Sequence, residues 1–220
     1  MRITWYGHAA FLVEAEGLRI ILDPYKSPDS GGYGPIAEPA DLVVVSHEND
    51  RYHSHLGQIV PPFEVVRAQD LPAGGRSVRG IRFEAVPCFE SPAKLPGDEV
   101  TIVHFHVEGL HVVHLGDLGH PLTEDEVAPL RGADVVLAAA GGPPTIDYPD
   151  IPPLMDAIGP RLVVPMHYLT PRINLKIQPV ERFFEALPDL PVDRPGGSRF
   201  EVTRATLPDG RRIVALESAR

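Results

Sequence analysis

The chain is short of cysteine, lysine, asparagine and long apolar runs, and it carries no excess of positive charge. One cysteine in 220 residues, Cys88, allows neither an intrachain disulfide nor a cysteine-rich zinc module. It suits a reducing compartment, and a small buried apolar role is its default. Twenty basic side chains against thirty acidic ones leave a formal charge of −10. That argues against a broad basic face for nucleic acid or an anionic membrane. No run approaches the roughly 18 apolar residues of a membrane span. The opening Met1–His8 lacks the apolar region and small-residue cleavage site of a signal peptide. The expectation is one soluble cytoplasmic domain over residues 1–220, with neither nucleic acid nor membrane as partner. Lysine occurs only at Lys26, Lys94 and Lys176 and asparagine only at Asn49 and Asn174, beside 25 prolines and three methionines. This bias leans towards a thermophile, although a GC-rich genome would produce much the same one.

Ten histidines are present, more than packing needs, so metal or acid–base chemistry is worth testing. Short β-branched runs closed by Gly, Pro or Asp dominate the chain and predict strands. They fall at Ile3–Tyr6, Phe11–Glu14, Leu18–Leu22, Leu42–Val45, Val78–Val86, Val100–Val107, His111–Leu115, Val135–Ala139, Leu162–Val164 and Ile213–Leu216. Glu16-Gly17 and Glu108-Gly109 read as hairpin turns. Helices are predicted over Thr123–Leu130, where Thr123 and Glu126 have capping-box spacing, and over Ile151–Ile158 and Pro179–Leu187. Hairpins first and alternating strands and helices later imply stacked sheets flanked by helices. Pro24–Pro39, rich in Gly, Pro and Ser, reads as a mobile surface and a candidate lid.

The residues that end these runs are the informative ones. Leu42–Val45 runs into Ser46-His47-Glu48-Asn49-Asp50-Arg51-Tyr52-His53-Ser54-His55; Phe83–Phe89 ends in Glu90; His111–Leu115 leads to Gly116-Asp117; Leu162–Met166 ends in His167-Tyr168. Strands running the same way place such ends along one edge, where open α/β folds bind ligands. His, Asp and Glu converging there have the composition of a zinc or related transition-metal site. Ordinary loop polarity explains any one of them, but explains the set less well. His104 and His106 share a strand face and read as a hydrogen-bonded face beside a neighbouring strand ahead of a ligand pair; His114 reads as a packing or supporting residue.

Further stretches give the pattern a resemblance. Ile3-Thr-Trp-Tyr-Gly-His8-Ala-Ala-Phe11, Leu22-Asp23-Pro24, Val43-Val-Val-Ser-His47, His114-Leu-Gly-Asp117-Leu-Gly-His120, Gly141-Gly142 with Thr145-Ile-Asp147, and Pro165-Met-His167-Tyr168 span nearly the whole chain. Together they resemble the metallo-β-lactamase-fold superfamily, in its compact metal-dependent hydrolase branch related to the ascorbate-phosphate lactonases. The resemblance implies an α+β fold, a four-layer αββα sandwich with a metal site at one edge. It also implies a hydrolase acting on an ester, lactone or phosphate-containing small molecule.

The ligand motif departs from that family. Its His-x-His-x-Asp-His is here His47-Glu48-Asn49-Asp50-Arg51-Tyr52, so only His47 keeps a ligand's place. Asn49, Arg51 and Tyr52 occupy the others, and Glu90 stands where the next histidine belongs. Asp117 keeps the bridging carboxylate and His167 the last histidine. A guanidinium stays protonated and repels a cation, so a dinuclear centre is not expected. One divalent metal, zinc ahead of manganese or iron, or no metal at all, is the expectation. His47, Glu90, Asp117 and His167 are the candidate ligands, with His53 or His55 on a solvated loop unless that loop folds back and lets His53 substitute. Asp117 is the candidate catalytic base. His8, Asn49, Arg51 and Tyr52 are read as facing substrate or supporting the ligands. Arg51 could pair with Asp117 in place of a metal. In a metal-free binding protein it would instead clasp a carboxylate or phosphate. An exposed apolar edge strand leaves a homo-oligomer open.

Overall fold

The computed structural model describes residues 1–220, which form two mixed β-sheets packed face to face. The first sheet contains β1 (Arg2–Gly7), β2 (Ala10–Ala15), β3 (Leu18–Leu22), β4 (Leu42–Val45) and β5 (Glu64–Arg67). The second contains β6 (Arg76–Val78), β7 (Ile81–Phe89), β8 (Glu99–Val107), β9 (Leu110–His114), β10 (Val135–Ala139) and β11 (Leu162–Met166). Two short late strands, β12 (Val192–Asp193) and β14 (Arg212–Val214), complete the second sheet, while β13 (Arg199–Glu201) crosses back to pair with β1. Strand order is β13-β1-β2-β3-β4-β5 in one sheet and β12-β14-β11-β10-β9-β8-β7-β6 in the other.

Alternation along the strands explains the layering. Trp5, Phe11, Val13, Ile20, Leu22, Leu42 and Val44 point from the first sheet into the main core between the sheets. Their neighbours Tyr6, Leu12, Ile21, Val43 and Val45 point outwards into a second, smaller core. A period of two with both faces apolar is what a sheet covered on each side requires. The helices α1 (Glu124–Val127), α2 (Ile151–Ile158) and α3 (Glu181–Ala186) all follow β9 in the chain. Thr123 caps α1 with the expected capping box, prolines sit in the first turn of α2, and Gly159 in the left-handed region ends it.

Over the first sheet the covering layer is not helical. Residues 24–41 and 46–63, on either side of β4, form it as irregular chain, with Tyr25, Tyr33, Ile36 and Ile59 buried in the smaller core. This corrects the expectation of a mobile lid at Pro24–Pro39. Gly31 there serves close packing, since a Cβ would strike the carbonyl of Arg172, and the Tyr33 ring packs so closely on β1 that a Cβ at Gly7 would strike it. Other boundaries moved for local reasons. The strand expected over Val78–Val86 is broken at Arg79-Gly80, both at positive φ, into β6 and β7. The short strands β5, β12 and β13 lay below what alternation can signal. The Thr123–Leu130 helix keeps its start but tightens into a 3-10 turn at Ala128–Leu130.

Candidate metal centre

Both sheets aim strand ends at one edge. His8 follows β1, Asp23 follows β3, His47 comes just after β4, Glu90 follows β7, Asp117 lies beyond β9 and His167 follows β11. At this edge His47, His53 and Asp117 are buried, with one ligand atom of each within 4.8 Å of the others. His167 joins them, its Nε2 lying 3.6 Å from Asp117 Oδ1.

His53 arrives because its loop folds back. The Asn49 carbonyl accepts the N–H groups of Tyr52, His53 and Ser54 at 3.0, 2.8 and 3.0 Å, a tight reversal that points His53 inwards. The loop is tied to the segment after β3 by His55 N–H to the Pro24 carbonyl and Lys26 N–H to the Arg51 carbonyl, both 2.9 Å. His53 is therefore fully buried, not solvated, and that expectation is corrected. His55 stays outside, paired with Asp50 at 2.9 Å. Asn49 contributes its backbone carbonyl to the turn and is half-buried.

Asp23 organises the cluster. Its Oδ1 accepts the Ser46 N–H at 2.7 Å, and its Oδ2 accepts the Ser46 hydroxyl at 2.6 Å and His53 Nδ1–H at 3.0 Å. Because the Ser46 hydroxyl donates to Asp23, its lone pairs face His47 Nδ1, 3.1 Å away. Both histidines are thereby held through a proton on Nδ1, and His53 turns Nε2 to within 2.8 Å of Asp117 Oδ2. Asp23 went unmarked as a site residue in the sequence, although it follows the same rule as the others, a lone acid directly after a strand. His114 supports from below, donating Nε2–H to the Ala9 carbonyl at 3.0 Å and lying 3.8 Å from Asp23 Oδ2.

Electrostatics tighten the arrangement. Burial opposes charge on His53, but Asp117 and Asp23 on either side outweigh it and hold its pKa up at about 10. Burial likewise works against the Asp117 charge, yet His53 and His167 hold its carboxyl well below the ordinary range. Burial and the nearby His53 push His47 down to about 4, and burial lowers His167 as well. Glu90 is half-buried outside the tight group; desolvation and the Asp117 charge raise its pKa. Arg51 does not pair with Asp117, correcting that expectation. Its Nε donates to the Asp29 carbonyl at 2.7 Å, its guanidinium sits 5.1 Å from the Tyr52 ring centre, and it is exposed. His53 is the cation beside Asp117.

The donor set suits a divalent transition metal. Two imidazole nitrogens and a carboxylate oxygen, with a third imidazole adjacent, form a mixed N/O group of the kind zinc, manganese and iron accept once the cation displaces the His53 proton. His53 Nε2 lies 2.8 Å from Asp117 Oδ2 but without the alignment of a hydrogen bond. Asp117 Oδ1 and His167 Nδ1, both buried, have no hydrogen-bond partner in the protein. Buried polar atoms without partners are costly, and a shared cation would engage such atoms.

Comparison with known proteins agrees with this geometry. A UPF0173 protein of Pyrococcus abyssi is 28% identical over 193 residues, covering 77% of this chain and 84% of its own length. A UPF0173 metal-dependent hydrolase of Methanosphaerula palustris is 28% identical over 224 residues, covering 92% of this chain and all of its own. Among solved structures, a candidate Zn-dependent hydrolase of the metallo-β-lactamase superfamily from Thermotoga maritima superposes with a TM-score of 0.78. It is 28% identical and covers 98% of each chain. The two packed sheets are thus a metallo-β-lactamase fold. The model of the beta-lactamase superfamily domain matches residues 2–167, from the first strand through the last clustered histidine, and the chain belongs to that family.

Proposed function

We propose that the protein is a metal-dependent hydrolase acting on a small-molecule ester, lactone or phosphate-containing substrate through one divalent metal, zinc ahead of manganese or iron. The observation that carries this reading is the buried His47–His53–Asp117 group, with His167 beside it and ligand atoms left unpartnered. The similar proteins described as metal-dependent hydrolases support it. His47, His53, Asp117 and His167 would hold the metal, with Glu90 on the approach. A metal bound there lowers the pKa of water and polarises the scissile group. Asp117 would hold the metal through one carboxylate oxygen and take the proton of an attacking water on the other. Asp23 and Ser46 hold the two imidazoles in the tautomer that leaves Nε2 available.

Protein purified without chelator or affinity tag should contain about one equivalent of Zn, Mn or Fe. That metal should be lost in His53→Ala and in Asp117→Asn, together with hydrolysis of an ester and lactone panel. Failure to retain any of the three metals after reconstitution in excess would overturn the reading.

The alternative, a metal-free small-anion binder using Arg51, has one observation in its favour. The Arg51 guanidinium is fixed by Asp29 and Tyr52, and no carboxylate pairs with it. On either reading its terminal N–H groups are available to a carboxylate or phosphate. Arg51→Gln should raise KM for an anionic ester several-fold while leaving a neutral ester of the same leaving group unchanged.

A further inference from the structure

His8 has neither a packing explanation nor a place in the buried donor group. It sits in the two-residue turn between β1 and β2, where Gly7 pairs with Ala10. Its φ of 50° lies in the left-handed region, at the turn position that tight hairpins of this kind usually give to glycine. A non-glycine residue held there is strained and persists because its surroundings impose it. Those surroundings are explicit. The His8 carbonyl accepts the Trp5 indole N–H at 2.9 Å and the His167 backbone N–H at 3.0 Å. The next carbonyl, of Ala9, accepts from His114 at 3.0 Å. His167 is itself at φ 49°, so two strained histidines from different sheets are joined through one backbone hydrogen bond.

That scaffold delivers the imidazole into the centre. The His8 ring lies 4.3 Å from the His167 ring and 5.0 Å from that of His53, between centroids and edge-on to both. Its other side stacks on Tyr52 at 5.0 Å and 18°. The side chain is buried, yet neither Nδ1 nor Nε2 has a hydrogen-bond partner in the protein. A core histidine would be expected to satisfy at least one nitrogen. A further metal ligand would be expected to bring a nitrogen to Asp117, as His167 does at 3.6 Å, whereas His8 is outside the tight group and makes no such approach. The remaining role is towards a molecule that reaches the cluster.

We infer that His8 is a substrate-contacting residue, donating a ring N–H to an oxygen of the acyl or phosphoryl centre that is hydrolysed. This rests on the hydrolase reading of the same site and adds a residue to it. His8 makes and breaks no covalent bond; it supplies a fixed dipole where negative charge develops on oxygen, the kind of contact that is stronger in the transition state than in the ground state.

The test uses zinc-loaded protein, its His8→Gly variant, which relieves the turn, and His8→Asn, which also tolerates positive φ. Zinc stoichiometry and melting temperature should be unchanged or, for His8→Gly, slightly raised. Inorganic phosphate, as a tetrahedral oxyanion probe followed by calorimetry, should bind about 10-fold more weakly to His8→Gly. In kinetics with p-nitrophenyl acetate and p-nitrophenyl phosphate, kcat should fall about 100-fold on whichever is the substrate, with KM little changed. Loss of zinc from either variant would overturn the inference by making His8 a ligand. Phosphate affinity equal in wild type and His8→Gly, absence from both included, would overturn it by making His8 a strained turn residue only. If wild type hydrolyses neither ester while phosphate binding still depends on His8, the hydrolase reading fails and the His8 contact stands.

Discussion

Asp23 shows how much of a centre can rest on a residue that touches neither metal nor substrate. Its two oxygens take the Ser46 N–H, the Ser46 hydroxyl and His53 Nδ1, all within 3.0 Å, in a fully buried setting. Removing it leaves three donors unsatisfied and the His53 charge matched on one side only. Asp23→Ala should therefore destabilise the fold by roughly 2–5 kcal/mol. Metal affinity should fall about 10–100-fold, because His53 loses the bond that sets its tautomer and the Ser46 hydroxyl facing His47 loses the acceptor that orients it. Urea unfolding and a zinc titration would measure the two effects. Asp23→Asn should retain part of the stability, since its amide oxygen can still accept from Ser46. The sequence exposed much of this site and concealed the rest for a physical reason. His47, Asp117 and His167 were legible because each directly follows, or nearly follows, an apolar run. Whether His53 belonged depended on three N–H groups converging on the Asn49 carbonyl, a property of loop conformation with no periodic signature.

At the level of single elements, β8 and β9 carry a second histidine group that the sequence placed beside a neighbouring strand. His111 Nε2 lies 3.2 Å from His104 Nδ1 across the two strands, and the His106 ring stacks on His111 at 4.3 Å. Burial, then the neighbouring His106 and His104, pushes His111 down to about 4, while Asp134 opposes the shift. A histidine whose pKa is lower folded than unfolded keeps its full stability above the unfolded value of about 6.5. Below it the unfolded chain binds the proton first, so stability drains away as pH falls towards 4. The contribution should be about 2 kcal/mol, discounted for the partial solvation of this ring. Comparing urea midpoints at pH 7 and pH 4.5 in wild type and His111→Gln isolates it from the other buried histidines. An equal acid loss in both proteins would assign the effect elsewhere. The 116–120 loop offers an element-scale test closer to the metal centre. A Cβ at Gly119 would collide with the Glu90 carbonyl, and the Gly119 N–H bonds the Phe89 carbonyl at 2.9 Å. Gly119→Ala should force the Asp117 and Glu90 loops apart, costing about 2 kcal/mol or more by overpacking. Thermal denaturation would read that loss, and a zinc titration would show weakened binding.

For the whole molecule, the candidate metal centre lies where the two sheets meet, and protein contacts already cross that seam. The His167 N–H reaches the His8 carbonyl, His114 reaches the Ala9 carbonyl, and the His53 imidazole lies between Asp23 and Asp117. A single apolar core joins the inner faces of both sheets independently of these contacts. That organisation was the most legible feature of all, because alternation of apolar residues extends over β1 to β4 and β7 to β11. The irregular layer over the first sheet was not legible, since its buried tyrosines sit among the glycines and prolines that normally mark exposed turns. The consequence for metal removal is specific. With the metal chelated, His53 at a pKa of about 10 stays protonated at neutral pH and supplies a positive charge between the two buried carboxylates. The core and the seam contacts persist, so the chain should remain folded and unfold in one cooperative step. The melting temperature should drop only by the metal's binding linkage. That is about 3 kcal/mol at free metal near 100 times Kd, or roughly 5–10 °C for a chain of this size. Calorimetry after exhaustive dialysis against EDTA measures this directly. A broad, non-cooperative transition in the chelated protein would mean that the cation, and not the His53 bridge with the shared core, holds the sheets together.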